Sequence, residues 1–388
     1  MSYKQVYWQL AKRHAIEYIA AWAASLCLGA LYFLPLYLVN VRHFALPEVG
    51  LIVGCFGFGT LIGGFFAGWI CDKFSAYKIA TAALLLSALT VILLPAFQTV
   101  LSLCIILTAL GLCNNSFTVA NLMDLLNTSQ FERLPTINLR RLAINSGIGI
   151  SAWLAGWHAA NQYGYVSFFY GIGGFMLVMA ILLALKRPNP PSGVVQRPTE
   201  RTTQREDFKV ALVVLSVVFM VGLMLAQLRT TYGLYLEHNG HLHALAISHI
   251  FLFNSILIVI LQLPMVVWMT RLHPSLLTGI SAFCIGIGFG CLAVWHSLFG
   301  ALATCILWSA GIVMFFTVTQ VYLYNRVPER YRGRCVGAYQ VMFNLSMMFG
   351  PNLGSWLYTV HIKAVWVGSA FLGLLSLLLC IWLYAQSD

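Results

Sequence analysis

Charge is what this 388-residue sequence has least of: Asp, Glu, Lys and Arg together make up 9% of it, against roughly a quarter in a soluble domain. That scarcity excludes an ordinary water-soluble fold of this length. No G-x-x-x-x-G-K-[ST] run occurs, which removes the phosphate-cradling loop of an ATP-driven pump. The 10 cysteines are scattered, with no C-x-x-C or metal-like spacing. Neither a disulfide framework nor a metal centre is expected, and a buried Cys then serves as a small apolar residue. One His-rich outer loop, with Glu237, His238, His241 and His243, reads as solvated side chains. No cofactor site and no enzymatic chemistry are expected.

Apolar residues fill the space that charge leaves, at 60% of the chain with a mean hydropathy of +0.83. A membrane-crossing helix needs ~20 mostly apolar residues. Twelve stretches qualify, roughly 15–38, 48–70, 77–97, 101–124, 141–161, 165–186, 209–236, 244–270, 275–296, 299–324, 334–360 and 363–385. The runs lack polar–apolar alternation, which predicts helices rather than a barrel. Lys4, Lys12 and Arg13 precede a first apolar run long enough to span, so no cleaved leader is expected.

The net charge of +11 invites a nucleic-acid reading, and its distribution rejects it. Of the 22 Lys and Arg, 19 fall at the N-terminus and in alternate loops. Only Arg42 and Lys363 lie on the other side, and Arg229 lies inside span seven. This is the positive-inside bias. It predicts cytoplasmic termini, a cytoplasmic 186–209 loop and no nucleic-acid partner.

That loop holds Pro188, Pro190, Pro191 and Pro198 and separates six spans from six more. The expected domains are residues 1–186, a linker 187–208, and residues 209–388. The two halves are related at an offset of 199: Phe117-Thr118-Val119 falls on Phe316-Thr317-Val318, Arg133 on Arg332, Asn145 on Asn344, Trp157 on Trp356 and Asn40 on Asn239. The fold class expected is an all-α membrane protein with twelve transmembrane helices in two pseudo-symmetric six-helix bundles. A ligand site between the halves near the midplane goes with such a repeat.

The loop between spans two and three reads Gly68-Trp69-Ile70-Cys71-Asp72-Lys73-Phe74-Ser75-Ala76-Tyr77-Lys78. It resembles the G-x-L-x-D-(R/K)-x-G-(R/K)-(R/K) signature of the major facilitator superfamily, with Ser75 in place of the second Gly. The loop before span five, with Arg140 and Arg141, and the stretch Glu329-Arg330-Tyr331-Arg332-Gly333-Arg334 resemble the same family's later loops. The resemblance implies a gating latch formed by Gly68, Asp72, Lys73, Lys78, Asp124, Arg140, Arg141 and Arg332, in which the loop cations hold Asp124 at the end of span four. Ser151-Ala152 stands where drug–proton antiporters of the family carry Gly-Pro, and span four carries no Arg.

Polar groups inside spans are costly and mark solute pathways. Arg229, beside Gln227, is the deepest charge and suits an anionic solute. Asn114, Thr118 and Asn121 share one face of span four by their i, i+4, i+7 spacing. Thr317 and Gln320 are their counterparts in span ten, expected to face them across the cavity. Tyr32 and Asn254 complete the candidate substrate site. Each could equally serve a helix–helix contact. Glu17, Asp124 and His249 are the candidate proton carriers, since Arg stays charged and cannot be one.

The resemblance implies a secondary transporter working by alternating access in a bacterial inner membrane, as a monomer in the lipid bilayer, with a small-molecule substrate and protons as partners. Its expected cargo is a drug-like compound or a secreted metabolite such as a siderophore, moved outward. A proton-coupled importer of peptides, amino acids or other metabolites is the alternative. A membrane sensor or scaffold on the same fold is the reading outside transport.

Overall fold

The computed structural model describes residues 3–126, 132–161, 164–186, 208–269, 272–326 and 332–386. Within them the secondary structure is helical: α1 Tyr3–Arg13, α2 Ala15–Ala30, α3 Leu34–Leu36, α4 Leu46–Lys73, α5 Ala76–Leu93, α6 Val100–Leu125, α7 Arg133–Ala160, α8 Gly164–Leu185, α9 Phe208–Ala226, α10 Thr231–His238, α11 Ala244–Met269, α12 Pro274–Gly290, α13 Leu298–Arg326, α14 Arg332–Val360 and α15 Ala364–Ala385. Hydrocarbon offers backbone groups no partner, so apolar runs close their hydrogen bonds internally. Helix starts are fixed locally: Glu48 accepts from the Ala45 amide at 2.8 Å ahead of α4, and Thr99 accepts from the Ser102 amide at 3.2 Å ahead of α6.

Every span expected from the sequence coincides with a helix. Spans one and seven are each broken. The first bends by 41° between α2 and α3, at Leu31–Phe33 just before Pro35. The second passes through a 3-10 turn, Gln227–Arg229, before α10 resumes. Leu31 and Thr230 correspond at the repeat offset, so both breaks occupy equivalent places. Nine helices, and the bent pair α2/α3 as a tenth, are long and apolar enough to cross a membrane among the described residues. Helices α7 and α14 are long enough, at 28 and 29 residues, but more polar. Helix α1 was not anticipated; its Leu10 is buried against the N-terminal bundle.

Two six-helix bundles follow from the packing. In the first, α2 packs on α7 and α8, α4 on α6, and α5 on α6 and α8. In the second, α9 packs on α14 and α15, α11 on α13, and α12 on α13 and α15. The second set repeats the first, six spans later. Between bundles the main crossings are α4 with α14 and α7 with α11, which the repeat also exchanges. This explains the polarity of α7 and α14: they face the other bundle rather than lipid.

The linker joins the ends of the bundles that carry Lys186 and Phe208, here called the linker face. Close crossings lie in the halves of the helices remote from it. Gly57 leaves no room for a Cβ beside the Met347 carbonyl, and Gly149 none beside Ser255. Small residues permit such approach of helix backbones. At Gly68, further toward the linker face, nothing lies within 4 Å of where a Cβ would stand. The bundles are therefore pressed together at the far end.

Candidate functional site

Arg229 closes the 3-10 turn that interrupts span seven. The Gln227 side chain ties this break to its surroundings. Its Nε2 donates to the Leu223 and Gly350 carbonyls, both at 3.0 Å, and its Oε1 accepts from the Thr231 hydroxyl at 2.9 Å. Gln227 thus spends its amide stapling the break to α14, which leaves Arg229 to face the other bundle. The guanidinium lies over the Phe56 ring at 5.5 Å. Among the described residues, the groups that act on it electrostatically are the Tyr32 hydroxyl and the Cys27 thiol, with no carboxylate. Tyr32 stacks on Phe251 of α11, ring centroids 4.5 Å apart, so this wall too is shared between bundles.

The α6 stripe turns the other way from the expectation. Asn114 donates to the Ala24 carbonyl and the Cys27 sulfur, both at 3.0 Å. Asn121 donates to the Glu17 carbonyl at 3.2 Å and accepts from Arg140 Nε at 2.9 Å. Arg140 also donates to the Thr118 carbonyl at 2.8 Å. These residues bind α2 and α7 of their own bundle rather than facing Thr317 and Gln320. The spacing fixed a common face; which neighbour that face meets depends on the rotation of the whole helix. Thr317 returns its hydroxyl to the Val313 carbonyl at 2.7 Å, Gln320 is half-buried, and Asn254 accepts from Ser309 at 2.9 Å.

At the linker face Glu17 is buried and pairs with Lys186, the residue just before the linker. The Tyr77 hydroxyl donates to the Lys186 carbonyl at 2.7 Å and fixes that residue's backbone. Asp124 is half-buried and faces Glu17 and Lys186. His14, just ahead of α2, is buried, and burial lowers its pKa below the ordinary histidine value. Sequence reading placed Glu17 here but missed Lys186, because nothing in the spacing links residues 169 apart.

The expected hold of Lys73 and Lys78 on Asp124 is not made. Lys73 lies over the Trp69 ring at 3.9 Å, and both lysines are exposed. Asp124 instead feels the charges of Glu17 and Lys186. The side chains of Asp72 and Arg332 fall outside the described residues. Arg141 is half-buried and faces Tyr339 of α14. His249 is exposed rather than inside the bundle: it lines a recess of about 930 Å³ at the end remote from the linker, with Glu237, His241 and His243. No group of three or more His, Cys, Asp or Glu fit to hold a metal occurs among the described residues. At the same end Asn40 donates to both Glu237 carboxylate oxygens, at 3.0 and 2.8 Å, joining the two bundles.

The sequence matches the model of the Major Facilitator Superfamily over residues 18–241 and 214–388. It is 23% identical over 342 residues to the uncharacterized MFS-type transporter YqjV of Bacillus subtilis (strain 168), covering 83% of this chain and 80% of that one. Solved structures share the fold. The nucleoside transporter NupG superposes with a TM-score of 0.74 at 12% identity, covering 96% of this chain and 98% of its own. The peptide transporter POT in complex with sulfate gives 0.78 at 12%, covering 96% and 93%. The POT family transporter PepTSo gives 0.75 at 14%, covering 96% and 97%.

Proposed function

The chain belongs to the Major Facilitator Superfamily, and from that premise we propose that this secondary transporter carries a small organic anion between the two bundles, coupled to protons. It is a multi-pass membrane protein and not an enzyme. The observation that carries the anionic reading is Arg229: a guanidinium set on a helix break at the bundle interface, facing an aromatic ring, a phenol and a thiol and, among the described residues, no carboxylate. A charge at membrane depth is expensive unless something pairs with it, and a bound anion supplies the pairing.

The bundles meet at the end remote from the linker, and rocking them about the Arg229 level exchanges access between the two faces. The positive-inside bias makes the linker face cytoplasmic. In this reading the structure is the inward-open form, and the exposed Lys73 belongs to a latch that closes in the other form. Glu17 and Asp124, two carboxylates sharing the single Lys186 ammonium, are the proposed proton carriers. Outward movement is the direction that the sequence resemblance implies.

The test is flux of labelled organic anions, lipophilic cations and peptides in proteoliposomes. Anion flux that disappears in Arg229→Ala, with the protein still folded, supports the reading. Full anion flux in that variant removes Arg229 from the site, and no flux of any solute leaves the sensor or scaffold reading in its place.

A further inference from the structure

Arg140 is a second guanidinium without a counter-charge among the described residues. It is 7% exposed, buried between α6 and α7. Its Nε is taken by the Asn121 side chain and one terminal nitrogen by the Thr118 carbonyl. Both acceptors are neutral, and the other terminal nitrogen has no hydrogen-bond partner among the described residues. The neighbouring cation Arg141 adds to the positive charge. The described acids act elsewhere: Glu17 on Lys186, Glu48 at the start of its own helix, Glu237 on Asn40, Asp124 toward Glu17 and Lys186, and Glu132 toward His14 and Tyr18. Among the described residues no carboxylate acts electrostatically on Arg140, Arg141 or Arg229.

Arg140 borders a void of about 20 Å³ together with Ser25, Asn114 and Thr118. That volume admits one oxygen-sized group, and its lining supplies hydroxyl and amide partners. One side chain links this void to the surroundings of Arg229. Asn114, on its rim, donates to Cys27, and Cys27 is one of the groups facing Arg229.

We propose that Arg140, supported by Arg141, is a second anion-binding station, so that the transported solute carries two separated oxyanion groups, one for Arg229 and one for Arg140. This rests on the anionic reading above and narrows it to the dicarboxylate class. It also reassigns Arg140 and Arg141 from a gating latch to the solute path. An anion bridging two cations that no described carboxylate compensates neutralises both at once, and a monoanion leaves one of them uncompensated.

The experiment measures binding of a series of straight-chain dicarboxylates of increasing length, and of the matching monocarboxylates, to the purified full-length protein by titration calorimetry. Wild type is expected to bind its best dicarboxylate at least ~10-fold tighter than the monocarboxylate of equal length. Arg140→Gln retains a donor for Asn121 but no charge; it is expected to bring that ratio toward one while leaving monocarboxylate binding intact. Arg140→Lys keeps the charge and is expected to fall between the two, whereas a purely structural strut would be lost equally in both. Should Arg140→Gln fail to fold, Arg141→Gln carries the test, with a severalfold fall in the ratio expected. A wild-type ratio near one, or a ratio that survives these substitutions, overturns the proposal. Arg229→Gln that leaves all binding unchanged instead overturns the anionic reading on which it rests.

Discussion

Deleting the ammonium of Lys186 strands a carboxylate inside the N-terminal bundle. Glu17 is 1% exposed, and the Lys186 side chain 19%. Removing one partner of a buried pair costs about 3–5 kcal/mol, because the remaining charge has lost its compensation. Lys186 keeps some contact with solvent, so Lys186→Met is expected at the lower end, about 3 kcal/mol. For a chain this long that is a fall of several degrees in apparent melting temperature, at ~2 °C per kcal/mol. Glu17→Gln in the Lys186→Met background removes the stranded charge and is expected to recover most of the loss, to within about 1 kcal/mol of wild type. The assay is thermal unfolding of the wild type, both single variants and the double variant in detergent at one pH. The non-additivity of the cycle reads the pair directly. Independent, additive effects, or an unchanged melting temperature in Lys186→Met, would refute the pairing and with it the tie between the linker and the bundle.

Two further outcomes follow from the same geometry. Burial lowers the His14 pKa and both ring nitrogens lack a hydrogen-bond partner, so the folded state binds fewer protons there than the unfolded chain. Its contribution to stability is whole above the unfolded value of ~6.5 and is lost as pH falls below it; His14→Leu should flatten the melting-temperature profile between about pH 7.5 and 5.5, and an unaltered slope would contradict this. At the α4–α14 crossing, Gly57→Val inserts a side chain where the Met347 carbonyl stands. Overpacking of ~1–3 kcal/mol shifts the equilibrium away from this form by roughly 5- to 150-fold; spin labels on the exposed Val41 and His243 should move apart, and an unchanged distance would deny that the bundles separate there.

The fold was legible because lipid enforces a simple rule: apolar runs of sufficient length become helices. The repeat offset even matched the helix breaks at Leu31 and Thr230, although only Pro35 signalled one of them. The site was less legible. Arg229 stood out by depth alone. The Asn114, Thr118 and Asn121 stripe was found on one face correctly, yet spacing carries no information on helix rotation, and the stripe serves its own bundle. Gln227 looked like a solute ligand because a polar residue at depth has the same sequence appearance whether it meets cargo or repairs a broken helix. Lys186 escaped notice as the edge of a basic linker, since its carboxylate lies at the far end of the sequence. His249 fell within an apolar run but on its exposed rim.

Solute-triggered proton movement in proteoliposomes under an imposed pH gradient tests the central claim most directly. Proton movement in wild type on adding organic anions, absent with lipophilic cations and lost in Arg229→Gln, is the predicted result. Proton movement that persists in Arg229→Gln, or that cations trigger equally well, would contradict an anion site at the bundle interface.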